Sequence, residues 1–341
     1  MSSITEVARL AGVSIATASR VVSEADYPVS AQTRARVLSA ARELDYVPNA
    51  LARGLLKSQI PVVGVIVHDI TDPYFAEIVR GAEDAAESGG YLVITCSSER
   101  DGAREASYVR LLRSMRAAGV IFAGSGMDDA ASLDELPRHV AALQSSGAAV
   151  VHLSSQARGA PEISVDNQGG QQAMVDALLG LGHSRIAFLA GPHSLYVARE
   201  RLTGYRRALA AAGIAVEERL IVDTGFSAEA GARAVDDLLA TGAKPGTDFT
   251  AILCANDLLA LGTLQRLHEL GIKVPEVVSV AGFDDIPVAQ MTAPSLSTVR
   301  LPLREMGRRG FEATIRALNG ERIEPVLLPT EVVLRDSTRG I

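Results

Sequence analysis

The chain has 341 residues, of which 48% are hydrophobic, 21% charged and 4% aromatic, with a formal net charge of −7. These values exclude a disordered chain and leave room for two or three domains, each with its own core. No apolar run approaches the roughly 18 residues of a membrane span, and the opening "MSSITEVARL" carries Glu6 and lacks the apolar stretch of a secretion signal. Cys96 and Cys254, each in an apolar strand-like run, read as buried free thiols of a reducing compartment, so a cytoplasmic protein is expected. Residues 1–57 hold seven basic and five acidic side chains, a balance of +2 that leaves −9 for the remainder. That split permits a weakly basic head on an acidic body.

"SITE" at Ser3–Glu6 fits a capping box that opens a helix ending near Leu10, with Val7, Ala8 and Leu10 as its apolar side. Gly12 supplies a left-handed turn, and Ser14 is placed to cap a second helix from Ile15 to Val22 with Ala18, Val21 and Val22 inward. A third helix, capped by Ser30, is expected over Ala31–Leu44, with Val37, Leu38, Ala41 and Leu44 as its stripe. Three short helices with this tight turn describe a helix-turn-helix head, although a plain three-helix bundle shares the pattern. The outward face of the second helix carries Ile15, Ala16, Thr17, Ser19 and Arg20. Hydroxyls suit phosphate contacts, and an arginine can read guanine in the major groove.

The run "ITEVARLAGVSIATASRVV…VSAQTRARVLSAARELDYVPNALARGL" resembles the DNA-binding head and hinge of LacI/GalR-type transcriptional regulators, and the resemblance continues to about Thr330. It implies that Ser14, Ile15, Ala16, Thr17, Ser19 and Arg20 face operator DNA, with Ile15 and Ala16 selecting the site and Arg20 reading a base. Ala18 stands where the family usually has Val, and "SEADYPVS" is about one residue longer than the common loop. Next, Pro48 ends the third helix, and Asn49 can cap a short helix over residues 50–56. Such a helix is marginal alone and Gly54 weakens it, so on the residues alone a plain linker stays open. The resemblance implies that this segment pairs in the minor groove, with Leu55 wedged between base steps. Ala52 would permit close packing there, and Arg53 would reach phosphate.

From Val62 onward, short β-branched runs alternate with helical patterns. The runs are 62–67, 91–96, 119–124, 149–154, 185–191, 250–255 and 278–283. Helices are expected over Phe75–Ser88, Ala103–Ala117, Gly170–Leu181, Ala198–Ala212, Ala228–Ala240 and Leu258–Leu270. This is a doubly wound, parallel α/β plan, too long for one ordinary unit. The resemblance implies a two-lobed, periplasmic-binding-protein-like body. The expected division is 1–47 head, 48–59 hinge and 60–341 body, with one lobe from about 60–160 and 291–324 and the other from 161–290 and 325–341.

Ligands of such sheets bind beyond the carboxyl ends of the strands, and those tips carry Asp69, Tyr74, Phe75, Arg201, Phe226, Asn256 and Asp284. Aromatic faces with Asp, Asn and Arg suit polyhydroxyl rings, the planes packing on apolar ring faces and the polar forks pairing with hydroxyls. The resemblance implies effector contacts at Arg201, Phe226, Asn256 and Asp284, with Asp69 through Phe75 lining the other lobe. Asp72 stands where Asn is common, and Leu195 and Val197 where relatives are often polar. Tyr74 can equally serve packing, Asp257 reads as a helix cap, Asp285 as a turn residue, and His68 as core or rim. No phosphate loop, G-x-G-x-x-G, G-x-S-x-G, H-E-x-x-H or C-x-x-C motif occurs, so neither catalysis nor a cofactor or metal is expected. The expectation is a homodimeric repressor on a pseudo-palindromic duplex site, controlled by a small ligand such as a sugar. A sugar-binding receptor without DNA function is the competing reading.

Overall fold

The computed structural model describes residues 2–23, 28–46, 59–127, 130–154 and 162–341, with no side chains described for 130–134. The expectations for Asn49, Ala52, Arg53 and Leu55 therefore fall outside the described residues. Helices α1 (Ile4–Ala11), α2 (Ile15–Val22) and α3 (Ala31–Glu43) form the head. The capping box is present: the Ser3 amide donates to Glu6 Oε2 at 2.7 Å and the Glu6 amide to Ser3 Oγ at 3.3 Å. Gly12 sits at φ 63°, and Ser14 Oγ accepts from the Thr17 amide at 3.1 Å. Two helix faces differ from expectation. Leu10 and Leu38 lie 46% and 41% exposed, while Ala11 and Ala40 are buried beside Val7, Ala18, Val21 and Val37. The helical phase that buries Val7, Ala8 and Ala11 in α1 and Val37, Ala40 and Ala41 in α3 leaves the two leucines outside the buried faces.

The body contains two parallel four-stranded sheets. The first has the order β2-β1-β3-β4, built from β1 (Ile60–Val67), β2 (Leu92–Ser97), β3 (Ala117–Phe122) and β4 (Ala149–His152). Helices α4 (Pro73–Ser88), α5 (Gly102–Ser114) and α6 (Ala130–Ser145) connect these strands. After β5 (Ile163–Val165) the chain enters the second lobe with α7 (Asn167–Gly180), β6 (Ile186–Leu189) and α8 (Tyr196–Ala211). It continues through β7 (Ile221–Val222), α9 (Ala228–Ala240), β8 (Ala251–Cys254), α10 (Asp257–Glu269) and β9 (Ser279–Ala281). The second sheet is ordered β7-β6-β8-β9. The seven runs read as strands are all present within a few residues.

Helix α6 and helix α11 (Leu303–Leu318) were not among the expected elements. Pro137 inside α6 interrupts the local helical signal. By contrast Leu303, Met306, Gly307, Gly310, Phe311 and Thr314 of α11 are buried at helical spacing, a legible stripe. Helix α11 returns to the first lobe and packs along α4. The approach is so close that a Cβ on Gly307 would lie 1.9 Å from the Ile78 carbonyl oxygen, and one on Gly81 2.0 Å from that of Arg304. Only glycine permits this backbone contact.

Short strands join the lobes: β11 (Val326–Leu328) runs parallel to β5, and β10 (Thr298–Arg300) antiparallel to β12 (Glu331–Val333). The last residues return to the second lobe, where Ser337 Oγ donates to the Val280 carbonyl at 2.6 Å.

Candidate functional site

The cleft between the lobes gathers every strand-tip residue named above except Asp69. Its lining includes Tyr74, Phe75, Arg201, Phe226, Asn256 and Asp284. Asp69 is absent from it: its carboxylate accepts from the Thr71 amide at 2.9 Å and the Thr71 hydroxyl at 2.7 Å, closing a local turn. His68, read as core or rim, lines the cleft at 3% exposure, and burial drives its pKa down to about 3, so the ring is neutral. Asp72, Arg100, Ser125, Ser154, Asn167, Leu195 and Val197 also line it. Of these, Asp72, Leu195 and Val197 had a sequence signal in their unusual residue types. Arg100 and the others had none beyond lying near strand or helix ends.

Arg201, on α8, is 3% exposed and has every nitrogen engaged. Nε donates to Asn167 Oδ1 at 3.1 Å, Nη1 to the Ala255 carbonyl, and Nη2 to Asp284 Oδ1 at 3.0 Å. The guanidinium also lies 3.9 Å above the Phe283 ring. A fixed fork of this kind can hold only one arrangement of its three partners. It therefore aligns the tips of β8 and β9, with Asp284 lining the cleft. Burial pushes the Asp284 carboxyl up to about 7, with Arg201 pulling the other way and Asp72 adding to the rise. Burial likewise raises Asp72, whose Oδ1 caps α4 by accepting from the Tyr74 amide at 2.9 Å.

One pH effect follows from Asp284. Its folded-state pKa of about 7 lies above the ordinary aspartate value of 3.8, so the folded chain binds more protons between those limits. The contribution is fully present below the lower value and is lost as pH rises through the upper one. In urea unfolding from pH 4 to pH 8, the wild type should lose stability relative to Asp284→Asn. Parallel profiles would mean that Arg201 keeps Asp284 ionised throughout.

Asn256, at φ −152° and ψ 171°, is the N-cap of α10 and accepts from the Leu259 amide at 2.9 Å. Asp257 is thus not the cap. Placed at the first helical position, it turns inward, fully buried, and accepts from the Thr298 hydroxyl at 2.6 Å and the Ile286 amide at 2.9 Å. Burial and the neighbouring Asp284 raise its pKa well above the ordinary range. Asp285 does occupy a turn, at φ 56°, and pairs with Arg300 at 2.7 Å and Arg335 at 2.6 Å. The Phe226 ring covers Gly191, where a Cβ would meet it at 2.3 Å. Tyr74 lines the cleft and also packs edge-on against Phe75, with ring centroids 4.9 Å apart.

The lobes are bonded to each other at one lip. Helix α8 has Leu195 as its N-cap, which offers no capping side chain. Two of its free amides find partners on the opposite lobe: Val197 donates to Ser125 Oγ at 3.1 Å and Tyr196 to the Gly126 carbonyl at 3.3 Å. Separating the lobes therefore uncaps the helix that carries Arg201.

In the head, Ile15 is 50% exposed, Ala16 and Arg20 are exposed, and Thr17 and Ser19 are half-buried. The Thr17 hydroxyl lies 2.9 Å from that of Ser14. These residues lie on the side of α2 away from buried Ala18 and Val21.

Residues 3–49 match the family described as bacterial regulatory proteins, lacI family, and residues 175–338 match the periplasmic binding protein-like domain. The chain is 34% identical over 338 residues to the HTH-type transcriptional repressor CytR of Escherichia coli (strain K12), covering 98% of this chain and 96% of that protein. The chain belongs to the LacI family. Among solved structures, the Lac repressor dimer bound to operator and the anti-inducer ONPF is similar at TM-score 0.84 and 28% identity, covering 99% of each chain. The transcriptional regulator CelR–cellobiose complex is similar at TM-score 0.70 and 32% identity, covering 99% of this chain and 100% of that one. The LacI-family chain has the helix-turn-helix head and the two parallel-sheet lobes of the Lac repressor. It is a DNA-binding, effector-responsive regulator of a family that is not enzymatic. Among its described residues no helix is long and apolar enough to cross a membrane.

Proposed function

We propose that this LacI-family protein is a homodimeric cytoplasmic repressor whose effector is a sugar or related polyol bound between the lobes. The observation that carries the effector assignment is the cleft itself. Asp284, Asn256 and Asp72 offer hydrogen-bond partners beside the Phe226, Phe75 and Tyr74 rings. The disaccharide in the CelR complex, a structure similar over its whole length, supports the same chemistry. In this reading the effector bridges the lobes, Arg201 and Asp284 holding it from one side and Asp72 and Phe75 from the other. Ser14, Ile15, Ala16, Thr17, Ser19 and Arg20 face operator DNA. Asn49, Ala52, Arg53 and Leu55 form the hinge that closure of the cleft orders or releases. Effector coupling of this kind amounts to about 1–3 kcal/mol between the two sites.

The test combines fluorescence polarisation on DNA from upstream of the protein's own gene with a thermal-shift screen of sugars and nucleosides. The expected result is a specific pseudo-palindromic site whose affinity falls steeply with salt, and a sugar that changes that affinity. The absence of any specific site at moderate salt would overturn the operator reading. Stabilisation by nucleosides alone would replace the sugar.

A further inference from the structure

The effector cleft holds a second guanidinium that the Arg201 network does not use. Arg100 lines both the main cleft and a side recess formed with Asp101, Gly102, Met127, Pro192 and Ser194. Its Nε is buried and has no hydrogen-bond partner, and among the described residues it forms no ion pair, although Asp69 and Asp72 lie close enough to feel its charge. Arg201, in contrast, has all its nitrogens matched. The local backbone is bent to produce this placement. Glu99 and Arg100 are consecutive non-glycine residues with φ of 55° and 60°, and the turn is held by the Glu99 amide donating to the His68 carbonyl at 2.6 Å. Strain of this kind persists where the surroundings over-determine it, and functional clefts are where it collects.

Resting on the polyhydroxyl reading of the cleft, we infer that Arg100 is a specificity-determining residue that reads an anionic group on the effector, making the ligand an acidic sugar. A guanidinium stays charged at any relevant pH, and covering it with a neutral ring would strip water from it without return. On the second lobe, Asp284 already has Arg201 as its partner. On the first lobe, Asp69 is engaged with Thr71, Asp72 spends one oxygen on capping α4, and Asp101 in the recess caps α5 through the Ala103 and Arg104 amides and pairs with Arg104. A carboxylate or phosphate is the group that matches two parallel N–H donors. The hydroxyls then fall to Asp72, Asn256 and Asp284, and the anion lies toward the recess.

The test is calorimetric titration of the full chain with D-gluconate, D-glucuronate, D-galacturonate and D-glucose 6-phosphate, against D-glucose and D-galactose, with inorganic phosphate as the bare ion. At least one acidic sugar should bind about 10-fold or more tightly than its neutral counterpart, in keeping with a charge-assisted pair. In Arg100→Gln that preference should fall to near one, and Arg100→Lys should restore part of it. The carboxylate and phosphate arms tell which anion is read. Equal binding of neutral and acidic sugars, or a preference that survives in Arg100→Gln, overturns the role of Arg100 but not the cleft as a sugar site. Binding by none of the compounds overturns both.

Discussion

Replacing Arg201 by alanine should cost about 3–5 kcal/mol of folded stability, the range for breaking a buried ion pair by removing one partner. The change leaves Asp284 buried without its cation and takes the donors from Asn167 Oδ1 and the Ala255 carbonyl. A carboxyl at 4% exposure cannot recover that loss from water. The measurement is the urea midpoint of the second lobe's transition, with operator affinity and effector response recorded on the same sample. The folded variant should still bind operator but give no effector response, because the tips of β8 and β9 are no longer aligned. Arg201→Lys keeps the charge and loses the fork, so it should fall between the two. A loss within about 0.5 kcal/mol, the scale of ordinary surface substitutions, would show that the pair is not what holds these tips. Retained effector response would remove Arg201 from the site.

The second large effect is expected in the head. Arg20→Ala should lower specific operator affinity by about 1–3 kcal/mol per half-site, the value of one good bidentate base contact. On a two-fold site that loss applies twice. Ile15 should behave differently. Half-exposed at the start of α2, it can pack on a thymine methyl and reject other bases by shape, but it makes no hydrogen bond. Ile15→Gln should therefore redistribute preference among operator variants more than it weakens binding overall. Polarisation titrations on a set of single-base operator variants at fixed salt distinguish these outcomes. An unchanged preference in Ile15→Gln would mean that another face of α2 meets the DNA.

Much of the head was legible in sequence because its rules act over three or four residues. Ser3 with Glu6, Gly12, and Ser14 with Thr17 each satisfy or reverse the backbone within one turn, so spacing alone located them. The parallel sheets were legible for a related reason: strands covered on both faces read as unbroken β-branched runs. The strand tips read from sequence include Arg201, Phe226, Asn256 and Asp284 of the cleft but not Arg100, Ser125 and Ser154 beyond β2, β3 and β4. Sequence could not rank Asn256 against Asp257. One residue of helix phase decides which of them caps α10 and which is carried inward to Thr298. Nor could it show that Asp69 turns back on Thr71 while Arg100, in a loop with no motif, points into the cleft.

The same division holds for the whole chain. Capping, turn chemistry and hydrophobic period belong to neighbours in the sequence, and they determined most of the elements and their order, α6 and α11 excepted. The cleft's lip, where Ser125 of one lobe caps the α8 helix of the other, joins residues 72 positions apart. The contact of Gly307 with Ile78 spans a still longer separation. The first forms only when the two lobes meet, the second only when α11 returns to the first lobe and packs along α4. Which carboxylates keep a cation and which cation lacks a carboxylate was therefore decided by tertiary packing, because burial and distance set those energies and local spacing carries neither.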